Sequence, residues 1–233
     1  MKITVFLPCR KGSQRIPSKN IKTFAGVEGG LLRIKLKQLS DLKSITNIIL
    51  STNDEEVIKI ASEIEIENLI IDRRRDELCL SSTSTDDLIK YIPEIIPSGH
   101  VLWTHVTSPF INEKRYAEII EEYKISLLQE YDSLMTVLPL QGFIWDSNKP
   151  ISYNRNIEKW PRTQTIASMF EIDSGVFLNS VDNYLKLNDR IGLHPKMFTT
   201  SKIESFDIDW PEDFEIAEII YKIRLGKNGS VCK

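Results

Sequence analysis

Between its first apolar run and its first helical segment the chain reads Cys9-Arg10-Lys11-Gly12-Ser13-Gln14-Arg15-Ile16-Pro17-Ser18-Lys19-Asn20. Residues 1–27 carry six basic side chains and no acidic one, although the whole chain has a formal net charge of -3. Such a loop suits a polyphosphate. Gly12 lets the backbone approach closely, amide N–H groups bind oxygens, and Arg and Lys neutralise charge. A solvated basic loop is the plainer alternative, and a charge run alone is usually no more than that. The setting favours phosphate: the loop follows Ile3–Leu7, a buried-strand pattern, and open α/β sheets bind ligands beyond the carboxyl ends of strands. Neither GxxxxGK[ST] nor GxGxxG is present, which removes the main support for an ATPase or a dinucleotide enzyme.

A second pair of interest is Asp207 and Asp209. If Ser205–Asp209 is extended, side chains at i and i+2 share a face, and two carboxylates there can hold Mg²⁺, a hard cation that prefers oxygen ligands. The other reading is an acidic lead into a helix, with Pro211 in its first turn and Glu212 and Asp213 favoured by the helix dipole. The residues alone leave both readings open.

The elements that must position these groups alternate. Strand patterns fall at Ile3–Leu7, Ile45–Ser51, Leu69–Ile71, Val101–Val106, Ser133–Leu138, Gly175–Leu178 and Ser205–Asp209. Helical spacing falls at Leu31–Leu42, from a cap at Asn53 or Asp54 to Ile64, at Ser84–Ile92, Lys114–Leu128 and Pro211–Arg224. Alternation of this kind predicts βαβ units around a mostly parallel sheet. The pattern breaks between Leu140 and Met169, where Gly, Asn, Pro, Lys and Arg interrupt it and Trp145, Tyr153 and Trp160 are interspersed. An excursion of that length predicts a functional arm over residues 140–170. A polar tail is expected over residues 226–233.

Composition narrows the class. The chain has 233 residues, 41% hydrophobic and 27% charged, which fits one large globular domain spanning residues 1–233 and excludes a disordered or collagen-like chain. The acidic balance argues against a nucleic-acid partner. No apolar run reaches the ~20 residues of a membrane helix, and Pro8, Cys9, Arg10 and Lys11 interrupt any leader-like core, so no membrane partner and a cytoplasmic location are expected. Cys9, Cys79 and Cys232 form no CxxC pair. His100 and His194 have no ligand spacing with them, and no zinc site is expected. The Asn228-Gly229-Ser230 sequon is read as chance. Cys9 beside the basic loop invites a lowered thiol pKa, yet no His lies near it in sequence to make it a nucleophile.

The segment RKGSQRIPSKNI resembles the signature loop of the acylneuraminate cytidylyltransferases, the CMP-sialic acid synthetases, and more distantly of the CMP-Kdo synthetases. Further elements follow in order. Arg74 with Leu78 is similar to the family's "RP..LA" stretch, with Arg75 where Pro is usual. Thr107-Ser108-Pro109-Phe110 resembles "QPTSPLR", Pro161-Arg162-Thr163-Gln164 resembles "PR.Q", and Ser174-Gly175-Val176-Phe177 resembles "NGA.Y". Phe206-Asp207-Ile208-Asp209 with Glu212-Asp213 resembles "DIDTPED". The resemblance spans residues 3–222. It implies a three-layer αβα, nucleotide-diphospho-sugar transferase-like (Rossmann-like) domain with a mostly parallel central sheet and a small protruding arm. It implies transfer of CMP from CTP to the anomeric hydroxyl of an acidic sugar, with Mg²⁺ as cofactor and pyrophosphate as leaving group. By this resemblance Arg10, Lys19 and Asp209 are catalytic. Arg10, Gly12, Ser13, Arg15, Lys19, Asn20, Arg74 and Thr85 hold the nucleotide. His105, Thr107, Ser108, Arg162, Gln164 and Ser174 meet the sugar, and Asp207 and Asp209 hold the metal. The arm implies a homodimer, with Trp145, Tyr153, Trp160 and Phe170 readable as interface or as local core. Lys149 and Lys159 read as a basic surface.

Departures leave the acceptor open. His105-Val106 stand where Gln-Pro is usual, and Ile111 where an Arg often follows. Phe170-Glu171-Ile172-Asp173 stand where sialate enzymes often place an Arg for the sugar carboxylate, and Ser174 replaces an Asn. An acidic pair facing an acidic ligand would cost binding. His105 reads either as a sugar or phosphate contact or as a structural hydrogen-bonding group. A Kdo-like or other anionic acceptor is the alternative within nucleotidyl transfer. A nucleotide-sugar glycosyltransferase and a nucleotide-binding regulatory domain without turnover are the alternatives outside it.

Overall fold

The computed structural model describes residues 1–229; Ser230 of the sequon, Cys232 and the last four positions of the expected polar tail lie outside the described residues. Strand β1 (Ile3–Pro8) is followed by helix α1 (Gly30–Ser40), β2 (Asn47–Thr52), α2 (Glu55–Ser62), β3 (Leu69–Arg73), α3 (Thr85–Ile95), β4 (His100–Thr104), α4 (Glu113–Ser126), β5 (Ser133–Leu140), β6 (Met169–Ser180), α5 (Val181–Leu187), β7 (Pro195–Thr199) and α6 (Pro211–Gly229). Among the described residues, no helix is long and apolar enough to cross a membrane.

The strands form one seven-stranded sheet in the order β3-β2-β1-β4-β6-β5-β7. Pairing is parallel for β1 with β2 and β4, for β2 with β3, and for β5 with β7. It is antiparallel where β6 inserts between β4 and β5. Alternation along β1 separates two apolar layers. Ile3, Val5 and Leu7 join Leu31, Leu36, Val57, Tyr116, Ile119 and Phe214, while Phe6 joins Ile89, Ile92, Trp103, Phe177 and Tyr184. Helices α1, α2, α4 and α6 therefore cover one face and α3 and α5 the other, giving the three-layer arrangement expected.

Local chemistry fixes the helix starts. The Asp54 carboxylate accepts from the Glu56 amide at α2, and Ser84 and Asp87 form a reciprocal capping box at α3. Two elements have no counterpart in the sequence reading: the short helix α5 and the edge strand β7. One expected strand is absent. Residues 205–209 run outside the sheet, with the Ile208 amide bonded to the Thr107 carbonyl and the Asp209 amide to the Asp213 carboxylate instead of to a ladder. Strand β6 is also longer than expected. Its first residues pair with Leu138–Leu140, past the end of β7, as a two-stranded ribbon, from which the irregular arm departs.

Candidate active site

The order of strands around β1 reverses direction, because the chain passes from β1 to β2 and β3 on one side and then returns to β4 on the other. Loops leaving β1 and β4 at this point diverge and open a crevice. A cleft of about 470 Å³ lies there, lined by Arg10, Ser13, Arg15, Lys19, Asn20, Arg74, Thr85, His105, Thr107, Ser174, Asp207 and Asp209 among others.

The basic loop is tied down from below. The Cys9 amide bonds to Ser51 O, the Lys11 amide to Asn53 Oδ1 at 3.0 Å, and the Leu32 amide to Asn20 O. Gly12 takes φ 84, a turn conformation that few side chains tolerate. Arg74 is buried, donating from Nε to Ser51 Oγ at 2.9 Å and from Nη2 to Ser51 O at 2.6 Å. Asp72 accepts from both Ser51 Oγ and Tyr91 OH, so Arg74 is held by a satisfied network at the end of β3.

The acidic segment crosses above the loop. Ile208 is fully buried and anchors it, and Lys19 Nζ donates to Ile208 O at 2.6 Å and to Asp209 Oδ1 at 3.4 Å. Arg15 lies 3.3 Å from the other Asp209 oxygen and stacks over Trp210. Asp207 differs. Its Oδ1 is buried without a partner, and burial raises its pKa above the usual carboxylate range against a hydrogen bond from Thr107. The two carboxylates thus line one cleft, although they do not do so as the i, i+2 pair of a strand.

His105 follows β4 directly, its Nε2 accepting from Trp103 Nε1 at 3.1 Å. Burial, with Arg190 and Lys35 nearby, pushes its pKa down to about 3, so the ring is neutral and its proton sits on Nδ1. Burial also pushes the Cys9 thiol up to about 12, overriding Arg74, which corrects the expectation of a lowered pKa beside the basic loop. Ser174 has φ 57 and turns into the cleft. The preceding Asp173 points the other way: its carboxylate accepts from Thr136, Thr200 and the Gly175 amide in a buried network. Glu171 is exposed on the ribbon. Neither carboxylate of the acidic departure lines the cleft.

Some expected site residues stand outside this cleft. Ser108 is buried, and its carbonyl accepts from Lys35 Nζ at 2.8 Å. Arg162 and Gln164 belong to the arm, where the Gln164 carbonyl accepts from Gln141. Gly12 shapes the loop without lining the space. Gln14, Leu88, Trp103 and Arg190 line the cleft without having been read from sequence. For Arg190 no motif signals it, since only the tertiary path of the α5–β7 loop brings it here.

A cytidylyltransferase family model matches residues 4–230. The chain is 23% identical over 236 residues to a pseudaminic acid cytidylyltransferase of Campylobacter jejuni, covering 96% of this chain and 97% of that one. It is 22% identical over 224 residues to an N-acylneuraminate cytidylyltransferase of Streptococcus agalactiae, covering 92% of this chain and 52% of that protein. Among solved structures, CMP:2-keto-3-deoxy-manno-octonic acid synthetase complexed with CTP superposes with a TM-score of 0.67 at 12% identity, covering 96% of this chain and all of the other. The 4-diphosphocytidyl-2C-methyl-D-erythritol synthase of Anaerococcus prevotii superposes at 0.66 with 18% identity, covering 94% and 96% of the two chains. At these identities the superpositions speak for the fold. The nearly full-length match of the family model carries the assignment, and this chain belongs to the cytidylyltransferase family.

Proposed function

We propose that this chain transfers CMP from CTP to the anomeric hydroxyl of an acidic nine-carbon sugar of the N-acylneuraminate or pseudaminate type. The hydroxyl oxygen bonds to the α-phosphorus, the bond from that phosphorus to the bridging oxygen breaks, pyrophosphate leaves, and the hydroxyl proton passes to solvent. The observation that carries this reading is one cleft at the switch point that gathers Arg10, Arg15, Lys19 and Arg74 with Asp207 and Asp209. Phosphoryl transfer asks a protein chiefly for positioning and charge neutralisation. The relatives named above support the acceptor class, since the pseudaminic acid enzyme matches end to end.

The donor set suits Mg²⁺: two hard carboxylates face the space, and the buried Asp207 Oδ1 has no protein partner. Asp207 and Asp209 would hold the ion, which when bound offsets phosphate charge. The chain's own residues do the rest. Arg10, Lys19 and the loop amides hold the phosphates, Arg15 and Lys19 orient Asp209, and Thr107 orients Asp207. Exposed Trp145, Ile157, Trp160, Phe170 and Ile172 support a homodimer built on the arm and ribbon.

The test is pyrophosphate release with CTP, with and without Mg²⁺, across N-acetylneuraminate, pseudaminate, Kdo and a no-sugar control. Release that depends on a nine-carbon acid sugar and on the metal is expected. Release with Kdo alone, or none with any sugar while CTP binds, overturns the acceptor assignment.

A further inference from the structure

The loop joining α5 to β7 is built to hold one side chain in place. Asn188 takes the left-handed conformation at the end of α5, with φ 52. The Gly192 amide donates to Ser133 Oγ at 2.8 Å, and the Leu193 and His194 amides donate to the Asp132 carboxylate at 2.7 and 3.0 Å. A Cβ on Gly192 would sit 2.1 Å from Asp132 Oδ1, so only glycine lets the loop lie this close. The side chain so presented is Arg190, whose guanidinium carbon lies 3.7 Å from the Phe177 ring centroid and 5.2 Å from that of Trp103.

Arg190 lines the cleft, yet among the described residues no carboxylate lies within 4.0 Å of it and no protein acceptor takes a hydrogen bond from it. The adjacent Asp189 carboxylate is occupied by the Ile191 amide. Of the other cations of the cleft, Arg15 and Lys19 pair with Asp209 and Arg74 is bonded to Ser51, while Arg10 is also without an ion pair but belongs to the basic loop after β1. A largely desolvated guanidinium fixed on two aromatic faces, with its donor fork open to a cleft, is a receptor for a planar anion. Burial also pulls its pKa down, against the opposing influence of Tyr184 and Asp189.

Position decides which anion. Across the strand ends the order is Arg74 after β3, the basic loop after β1, His105 after β4, then Ser174 and Phe177 on β6 with Arg190 above them. The triphosphate-type loop and Arg190 therefore stand on opposite sides of β4. Resting on the proposed reaction, we propose that Arg190 receives the carboxylate of the acceptor sugar and so makes an acid function a requirement of the acceptor.

The test compares wild type with Arg190→Met and Arg190→Lys, using the sugar that supports turnover and its C1 amide or methyl ester. Arg190→Met should raise the acceptor KM at least about 30-fold. CTP affinity by calorimetry and the melting temperature should hold. Wild type should discriminate against the neutral analogue by a similar factor, and Arg190→Met should lose that discrimination. Arg190→Lys, which keeps charge but not the fork, should fall between and serves if the Met variant does not fold. An unchanged acceptor KM, or a loss of CTP affinity instead, overturns the Arg190 assignment while leaving the reaction intact. Wild type that turns over no acid sugar overturns the reaction and the assignment together.

Discussion

Asp207 and Asp209 are two positions apart and live in opposite environments. Asp209 is about half exposed and shared between Arg15 and Lys19. Exposed pairs of that kind contribute little to stability. Asp209→Asn should therefore leave the melting temperature nearly unchanged while lowering turnover on the order of 100-fold, the usual scale for losing one charge-stabilising group. Wild-type turnover with wild-type Mg²⁺ dependence in that variant would remove Asp209 from the metal site. Asp207 is raised above its ordinary 3.8 by burial. A raised folded pKa means the folded state holds the proton more tightly, so stability is lost as pH rises through that pKa. Asp207→Asn should therefore raise the melting temperature near pH 7 without metal, and the gain should vanish below about pH 4. Mg²⁺ should stabilise wild type and not the variant. A variant less stable than wild type at pH 7, or equally stabilised by Mg²⁺, would count against the site. At this scale the sequence was legible where chemistry is contiguous, as from Arg10 to Asn20. It was silent on Arg190, which reaches the cleft only because Asp132 and Ser133, far away in sequence, hold its loop.

At the scale of elements, α1 explains how the β4–α4 turn keeps its shape. The helix is apolar at Leu31, Leu32, Ile34, Leu36 and Leu39, but Lys35 is also fully buried. Its Nζ donates to Ser108 O at 2.8 Å and to Tyr116 OH at 2.7 Å, and Gln38 Nε2 donates to Pro109 O at 2.8 Å. These bonds fix the turn that carries Thr107 to Asp207. Burial pulls Lys35 down to about 7, so the ammonium costs energy even as it satisfies the carbonyls. Lys35→Met removes that cost but orphans the acceptors, for a net loss of about 1–3 kcal/mol, read by urea unfolding at pH 7. The sign of the pH effect is fixed too. The folded state sheds the proton first, so wild-type stability should rise between about pH 7 and the ordinary lysine value of 10.5, and the Met variant should lose that rise. A neutral ΔΔG with unchanged turnover would mean the turn is held by other contacts. Periodicity found α1 and the parallel strands because buried strands read as continuous apolar runs. It misread residues 205–209, where Phe206 and Ile208 alternate like a strand but only Ile208 is fully buried and its amide goes to a loop carbonyl. It missed β7 because that strand opens on Pro195 and Lys196, residues tolerated at an edge.

Across the whole molecule, the sheet is complete without the arm. The apolar layers close over β1, β4 and β6, whereas Leu138–Leu140 and Met169–Glu171 run on past the end of β7 as a two-stranded ribbon. Phe170 and Ile172 share one face of this end of β6 and are 45% and 44% exposed. The arm beyond it packs upon itself: Phe143 meets Tyr153 and Trp160, and Arg155 lies over Trp145 and Trp160. Even so, Trp160 and Ile157 remain 66% and 84% exposed. A two-stranded ribbon is marginal alone, and contiguous exposed apolar groups of this kind mark interfaces. The sequence made the arm visible through its broken pattern and its aromatics, several of which stay exposed on the single chain. A second copy of the chain is the proposed cover. Wild type should sediment as a dimer at micromolar concentration. Phe170→Glu, placed at a position already half exposed in one chain, should sediment as a folded monomer with an unchanged near-ultraviolet spectrum. The same pair of proteins tests the sugar role expected of Arg162, which lies outside the cleft of its own chain. If that role belongs to the dimer, Arg162→Ala should raise the acceptor KM in the dimeric background and change nothing further in the Phe170→Glu monomer. A wild-type monomer with full turnover would sink the dimer proposal and leave Arg162 as a surface residue of the arm.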